Sequence, residues 1–102
     1  MTTKRIPPHP GRFIAEEMAY LDISLRALAR ALAVSPSTIG RIIEGTASLT
    51  PNMAVRLAAV IGSTPEMWLK LQASHSLAQA RQEVDISELI HLSKPETPSH
   101  IA

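Results

Sequence analysis

Apolar and polar residues follow a helical period over most of this chain. The first break comes early: Pro7, Pro8 and Pro10 fix φ and remove three backbone donors. The segment KRIPPHPG therefore reads as a stiff extended arm, and helix starts no earlier than about Pro10. From Gly11 onward Phe13, Ile14, Glu17, Met18 and Leu21 recur at helical spacing, with Arg12 and Glu16 off the apolar stripe. Asp22 to Ser24 interrupts the pattern. Ser24 then stands as the N-cap of a second helix with a stripe of Leu25, Leu28, Ala29 and Leu32. Three later starts share one device: Ser35-Pro36, Thr50-Pro51 and Thr64-Pro65 each place a hydroxyl cap before a proline at the first helical position. They predict helices over about 36–44, 51–61 and 65–83. Gly45 and Gly62 stand at two of the ends, as left-handed C-caps would. Nothing reads as a strand. The expected fold is all-α with five helices, divided as an extended basic arm (1–10), a helix-turn-helix domain (11–83), and a short helical turn with a disordered polar tail (84–102).

The junction LARALAVSPSTIGRIIEG leaves about three residues between two short amphipathic helices. Ala29 and Ala33 are small enough for close crossing, and Val34, Ile39 and Ile42 supply apolar contacts. This is the spacing of a helix-turn-helix, whose second helix projects so that its first residues enter a major groove. Ser35, Ser37 and Thr38 at its start reach base edges or phosphates without bulk, and Arg41 lies about one turn on, with a fork suited to guanine. Arg26 and Arg30 share one face at i, i+4, a mild repulsion that a polyanion beside them would relieve. Gly40 reads either as a close approach to DNA or as a tolerated glycine. An ordinary helical hairpin is the competing reading of the whole motif. The candidate DNA-binding residues are Ser24, Arg26, Ser35, Ser37, Thr38, Arg41, Thr46 and Ser48.

Composition narrows the picture. The 102 residues suit one domain, and 45% hydrophobic against 3% aromatic content asks for an aliphatic core. The absence of cysteine excludes disulfides, thiolate metal sites and a Cys nucleophile. The N-terminus lacks the apolar core of a signal peptide, and no apolar run approaches the roughly 20 residues of a membrane span. The expectation is a soluble, cytoplasmic protein. A net charge of +1 hides an asymmetry: residues 1–62 carry seven Lys/Arg against four Asp/Glu, and residues 63–102 carry three against five. His9, His75, His91 and His100 show no metal-ligand spacing, and no nucleophile–base pair or phosphate loop is present. No metal, cofactor or enzymatic activity is expected.

The segments HPGRFIAEEM, SLRALARALAVSPSTIGRIIEG and LTPNMAVRLAAVIGSTPEMWLKLQASHSLAQARQE resemble the HigA antitoxins of the Cro/cI-like (XRE) helix-turn-helix superfamily, over about residues 9 to 83. The resemblance implies a homodimer on a palindromic operator in double-stranded DNA. It also implies neutralisation of a small, basic, ribosome-associated toxin that cleaves mRNA. Many members begin the first helix of the motif with a phosphate-contacting Gln. That position is Leu25 here, which moves the role to Ser24 and Arg26. A solitary repressor without a toxin, and a protein-binding module with a lapsed DNA surface, are the alternatives.

Trp68, Leu71 and Leu77 belong to a last helix that is apolar around more of its girth than one core stripe requires. They read as a dimer interface or, alternatively, as a helix buried on several sides of the monomer. The acidic Glu83, Asp85 and Glu88 beyond it suit either a basic toxin or a solvated tail.

Overall fold

The computed structural model describes residues 5–94. Five α-helices run in order: α1 Pro10–Leu21, α2 Leu25–Leu32, α3 Pro36–Glu44, α4 Pro51–Ile61 and α5 Pro65–Glu83, followed by a 3-10 turn at Ile86–Glu88. The first four residues of the basic arm and the tail beyond residue 94 lie outside the described residues. Four hydroxyl caps set the starts of α2 to α5. Ser24, Ser35, Thr50 and Thr64 accept from the backbone N–H of Ala27, Thr38, Met53 and Met67, which satisfies a donor that has no helical partner.

Helix α1 starts at Pro10 because His9 caps it. Its Nδ1 accepts from the Gly11 N–H at 2.9 Å. At the other ends Asp22, Ala33 and Gly45 all take left-handed conformations. Gly62 departs from the expected left-handed cap. It sits at φ 102°, ψ −171°, a region essentially restricted to glycine, and Ser63 after it turns left-handed at φ 69°.

The core is aliphatic, with Ile14, Leu28, Ile39 and Leu57 fully buried. Helix α1 packs on α3 and α5, α2 on α3 and α4, and α4 on α5. The α1–α3 crossing explains the HPG stretch. A Cβ at Gly11 would stand 2.6 Å from the Ile43 carbonyl oxygen and 2.8 Å from Ile43 Cα, so only glycine lets the two backbones meet.

Trp68 belongs to this core and not to a surface. It is 5% exposed, and its indole N–H donates to the Gly62 carbonyl at 3.0 Å. Of the three residues assigned to a dimer interface, Trp68 is thus removed by burial within its own chain. Leu71 is half-buried and Leu77 is exposed.

Candidate nucleic-acid interface

Three residues, Ala33 to Ser35, join α2 to α3. The chain reverses at Ala33, with φ 60°, and the Val34 N–H returns to the Ala29 carbonyl at 3.0 Å. Ala29 and Ile39 are buried on the facing sides of the two helices. Helix α4 holds this corner from behind. The Arg56 guanidinium donates to the Leu32 carbonyl at 2.7 Å and to the Ala33 carbonyl at 3.4 Å, while Asn52 Oδ1 accepts from its Nε at 2.7 Å. A cation at the end of α2 also complements the partial negative charge of the helix terminus. Arg56 counts toward the basic half of the sequence, yet its charge is spent on the fold.

At the start of α3, Ser35 Oγ lies 2.8 Å from Thr38 Oγ1 and 3.3 Å from Ser37 Oγ. The three hydroxyls form one cluster beside the cap, with Ser35 and Ser37 exposed and Thr38 half-buried. Arg41 follows on the exposed side. Its carbonyl accepts from the N–H groups of Thr46 and Ala47 and from Thr46 Oγ1 at 3.2 Å, which folds the following loop back over the end of the helix. Ser48 is exposed in that loop.

Leu25 explains the departure from Gln. It packs against the core, and a Cβ on Gly40 would lie 3.6 Å from its Cδ2, an ordinary contact. The first turn of α2, with Ser24 and Arg26 exposed, therefore stands beside the middle of α3. Gly40 faces its own chain, and the space there would accept a methyl group.

The cations differ sharply in their use. Arg12 pairs with Glu16 at 3.5 Å, and Arg56 is bound to α2. Among the described residues, the guanidinium groups of Arg26, Arg30 and Arg41 make no hydrogen bond or ion pair.

Two features of the site were hidden from sequence reasoning. Gln72 on α5 is buried, and its Oε1 accepts from the Leu49 N–H at 2.7 Å while its Nε2 donates to Ser76 Oγ at 2.9 Å. The loop after α3 is thereby tied to α5. The second is a pair of histidines. His9 and His75 meet edge to face with ring centroids 5.1 Å apart. His9 Nε2 donates to the Ala47 carbonyl at 3.1 Å, and His75 Nδ1 donates to the Pro7 carbonyl at 2.7 Å. Between Pro7 and His9 the arm is thus latched both to α5 and to the loop carrying Thr46 and Ser48. Burial, reinforced by the neighbouring His75, pushes the His9 pKa below its ordinary value, and the bond to Ala47 opposes them.

No helix among the described residues is long and apolar enough to cross a membrane. The helix-turn-helix family model matches residues 14–69. The chain is 51% identical over 85 residues to an uncharacterized HTH-type transcriptional regulator, YddM, of Escherichia coli, covering 83% of this chain and 90% of that one. It is 38% identical over 80 residues to the antitoxin HigA-1 of Vibrio cholerae, covering 78% and 75%. Among solved structures it is similar to the Pseudomonas aeruginosa antitoxin HigA with the higBA promoter, at a TM-score of 0.75 and 34% identity, covering 89% of this chain and 99% of that one. With α2 and α3 in helix-turn-helix geometry and unpaired arginines along them, the chain belongs to the helix-turn-helix family of Cro/cI-like DNA-binding proteins, among the HigA antitoxins.

Proposed function

We propose that this chain is a cytoplasmic antitoxin that represses its own operon as a dimer on a palindromic operator and neutralises a small, basic, mRNA-cleaving toxin. The observation that carries the DNA half is the set of unpaired cations, Arg26, Arg30 and Arg41, around an α3 that begins with three clustered hydroxyls. Arg41 with Ser37 and Thr38 reads bases. Ser24, Arg26, Ser35, Thr46 and Ser48 hold the phosphates on either side. The Ser24 hydroxyl accepts from a helix N–H group, and its own hydrogen remains available to a phosphate oxygen.

Nine residues of α3 span only about 13 Å, too short to select an operator alone. Two copies of α3 about 34 Å apart read successive major-groove faces on one side of a duplex. Leu71 and Leu77 on α5 lie at the contact between copies in this reading.

Binding titrations across salt concentrations test it. Arg41→Ala is expected to cost about 1–3 kcal/mol and relax base preference. Arg26→Ala should weaken all sequences alike and reduce the salt dependence. Unchanged affinity in both variants would leave a protein-binding module with a lapsed DNA surface. Co-expression with a basic protein encoded beside this chain should give a stable complex and restore growth. Failure of both would leave a solitary repressor.

A further inference from the structure

Thr46 and Ser48 stand in a loop that is tied to distant parts of the chain through its backbone. Exposure alternates along it: Thr46, Ser48 and Thr50 are exposed, whereas Ala47 is half-buried and Leu49 is buried. Each inward residue has a remote partner. The Leu49 N–H donates to Gln72 Oε1 at 2.7 Å, and the Ala47 carbonyl accepts from His9 Nε2 at 3.1 Å. The two ties lie on either side of Ser48 and together set the direction in which Thr46 and Ser48 face.

One of these ties is open to attack by a proton. His9 uses its two ring nitrogens in opposite senses: Nδ1 accepts from the Gly11 N–H at 2.9 Å, and Nε2 donates to Ala47. Only the neutral tautomer with its hydrogen on Nε2 satisfies both. A proton on Nδ1 would point at the Gly11 N–H, so the charged ring must leave the cap, and in turning away it gives up Ala47 as well. The surroundings of the ring are mixed. From α5, His75 meets it edge to face with centroids 5.1 Å apart, and Gly11 brings up the positive end of α1. From the end of α3 come the Ala47 carbonyl, which favours the cation, and Gly45, on which a Cβ would lie 3.9 Å from His9 Cγ. His75 is the titratable side chain that acts on the ring among the described residues, and burial together with its charge outweighs the Ala47 carbonyl in favour of neutral His9.

Taking Thr46 and Ser48 as phosphate contacts, we propose that His9 is a positioning residue for DNA: neutral, it holds the loop so that Thr46 and Ser48 meet the phosphates, and on taking up a proton it releases the loop, so that operator affinity falls at mildly acidic pH. The sign of the effect is diagnostic. Added positive charge by itself tightens binding to a polyanion as the pH falls. Release of the loop weakens it. A bound duplex therefore opposes protonation of His9, and the proton opposes the duplex by the same factor.

The test titrates the full chain onto a duplex of the sequence upstream of its own gene, at pH 7.5, 6.5 and 5.5 and constant ionic strength. Affinity should fall about threefold or more over this range, with about tenfold per pH unit as the limit for one proton. His9→Asn keeps an acceptor for the cap and an N–H donor but takes up no proton, so its affinity should stay level or rise as the pH falls. The double variant Thr46→Ala, Ser48→Ala changes only exposed positions. It should bind more weakly than the parent at pH 7.5 and show a flatter pH dependence. Affinity that stays level or rises in the unsubstituted chain overturns the proposal, as does a His9→Asn chain whose affinity falls as steeply. A fall that follows a loss of helical circular dichroism at the same pH overturns it too, since unfolding would then be the cause. If His9→Asn does not fold, the double variant decides, and a pH dependence as steep as the parent's overturns the proposal. A double variant that binds as tightly as the parent at pH 7.5 removes the phosphate contacts of Thr46 and Ser48, and the reading beneath the proposal fails with it. If those contacts are present and only the pH dependence is missing, the role of His9 alone fails.

Discussion

Replacing Gln72 with Met isolates the bond that ties the loop after α3 to α5. Gln72 is 8% exposed, and its two polar atoms have different partners. Oε1 accepts from the N–H of Leu49, itself 3% exposed, whereas Nε2 donates to the exposed Ser76. Met has a similar length and fills the same space, so no large cavity is added. What remains is a buried N–H without a partner, a loss of about 1–3 kcal/mol. For a domain of this size each kcal/mol moves the melting temperature by roughly 4–8 °C, so a fall of about 4–24 °C is expected by circular dichroism. Ser76→Ala removes the other bond at a site open to water, where the freed amide can be hydrated. It should cost well under about 1 kcal/mol. Amide exchange gives the local readout: protection of the Leu49 N–H should fall in Gln72→Met more than that of Leu28 or Ile14. A Gln72→Met chain with unchanged melting and unchanged Leu49 protection would refute the tie.

Gly11→Ala forces a Cβ onto the backbone of Ile43 and should cost about 1–3 kcal/mol in urea unfolding, with α1 displaced from α3. A neutral result would mean that the crossing relaxes freely. The His9 latch predicts a pH dependence of known sign. Its folded pKa lies below the ordinary 6.5, so the folded state favours neutral His9, and the stabilisation present above 6.5 is lost as the pH falls through 6.5 toward the lower folded value. Protonation would also put a hydrogen on Nδ1, which already faces the Gly11 N–H. His9→Asn should flatten the urea midpoint between pH 7.5 and 5 relative to the parent, and an equally steep variant would assign the dependence to another group.

Helix boundaries were legible because their chemistry is local. A Ser or Thr followed by Pro specifies a cap and a first turn within four residues, and α3, α4 and α5 begin and end where that rule put them. Gly62 shows its limit: a glycine at a helix end announces an unusual backbone conformation but not which one. The crossing helix-turn-helix was legible for a similar reason, since small residues, a tight turn and apolar spacing sit within one stretch. The rest depends on contacts between distant parts of the chain. Nothing local in His9 points to His75, nothing in Arg56 to Leu32, and nothing in Gln72 to Leu49. Trp68 was ambiguous because α5 is apolar on several sides, and the packing of α4 and α1 against it decides which side is inside.

The hold of Arg56 on the end of α2 separates two tasks within the chain. The angle at which α3 is presented is set by its packing on α1 and α2, with α4 holding the end of α2 from behind, and not by Ser37 or Arg41, which are exposed and support no part of the core. Those positions can change without spending folding free energy, as surface substitutions away from structural features generally do. If α3 reads DNA as proposed, a duplicated copy of this chain could therefore drift to a different operator through a few codons in α3 while the frame that aims it stays intact. Substitution at Arg56 would have the opposite effect, loosening the aim for every DNA sequence at once.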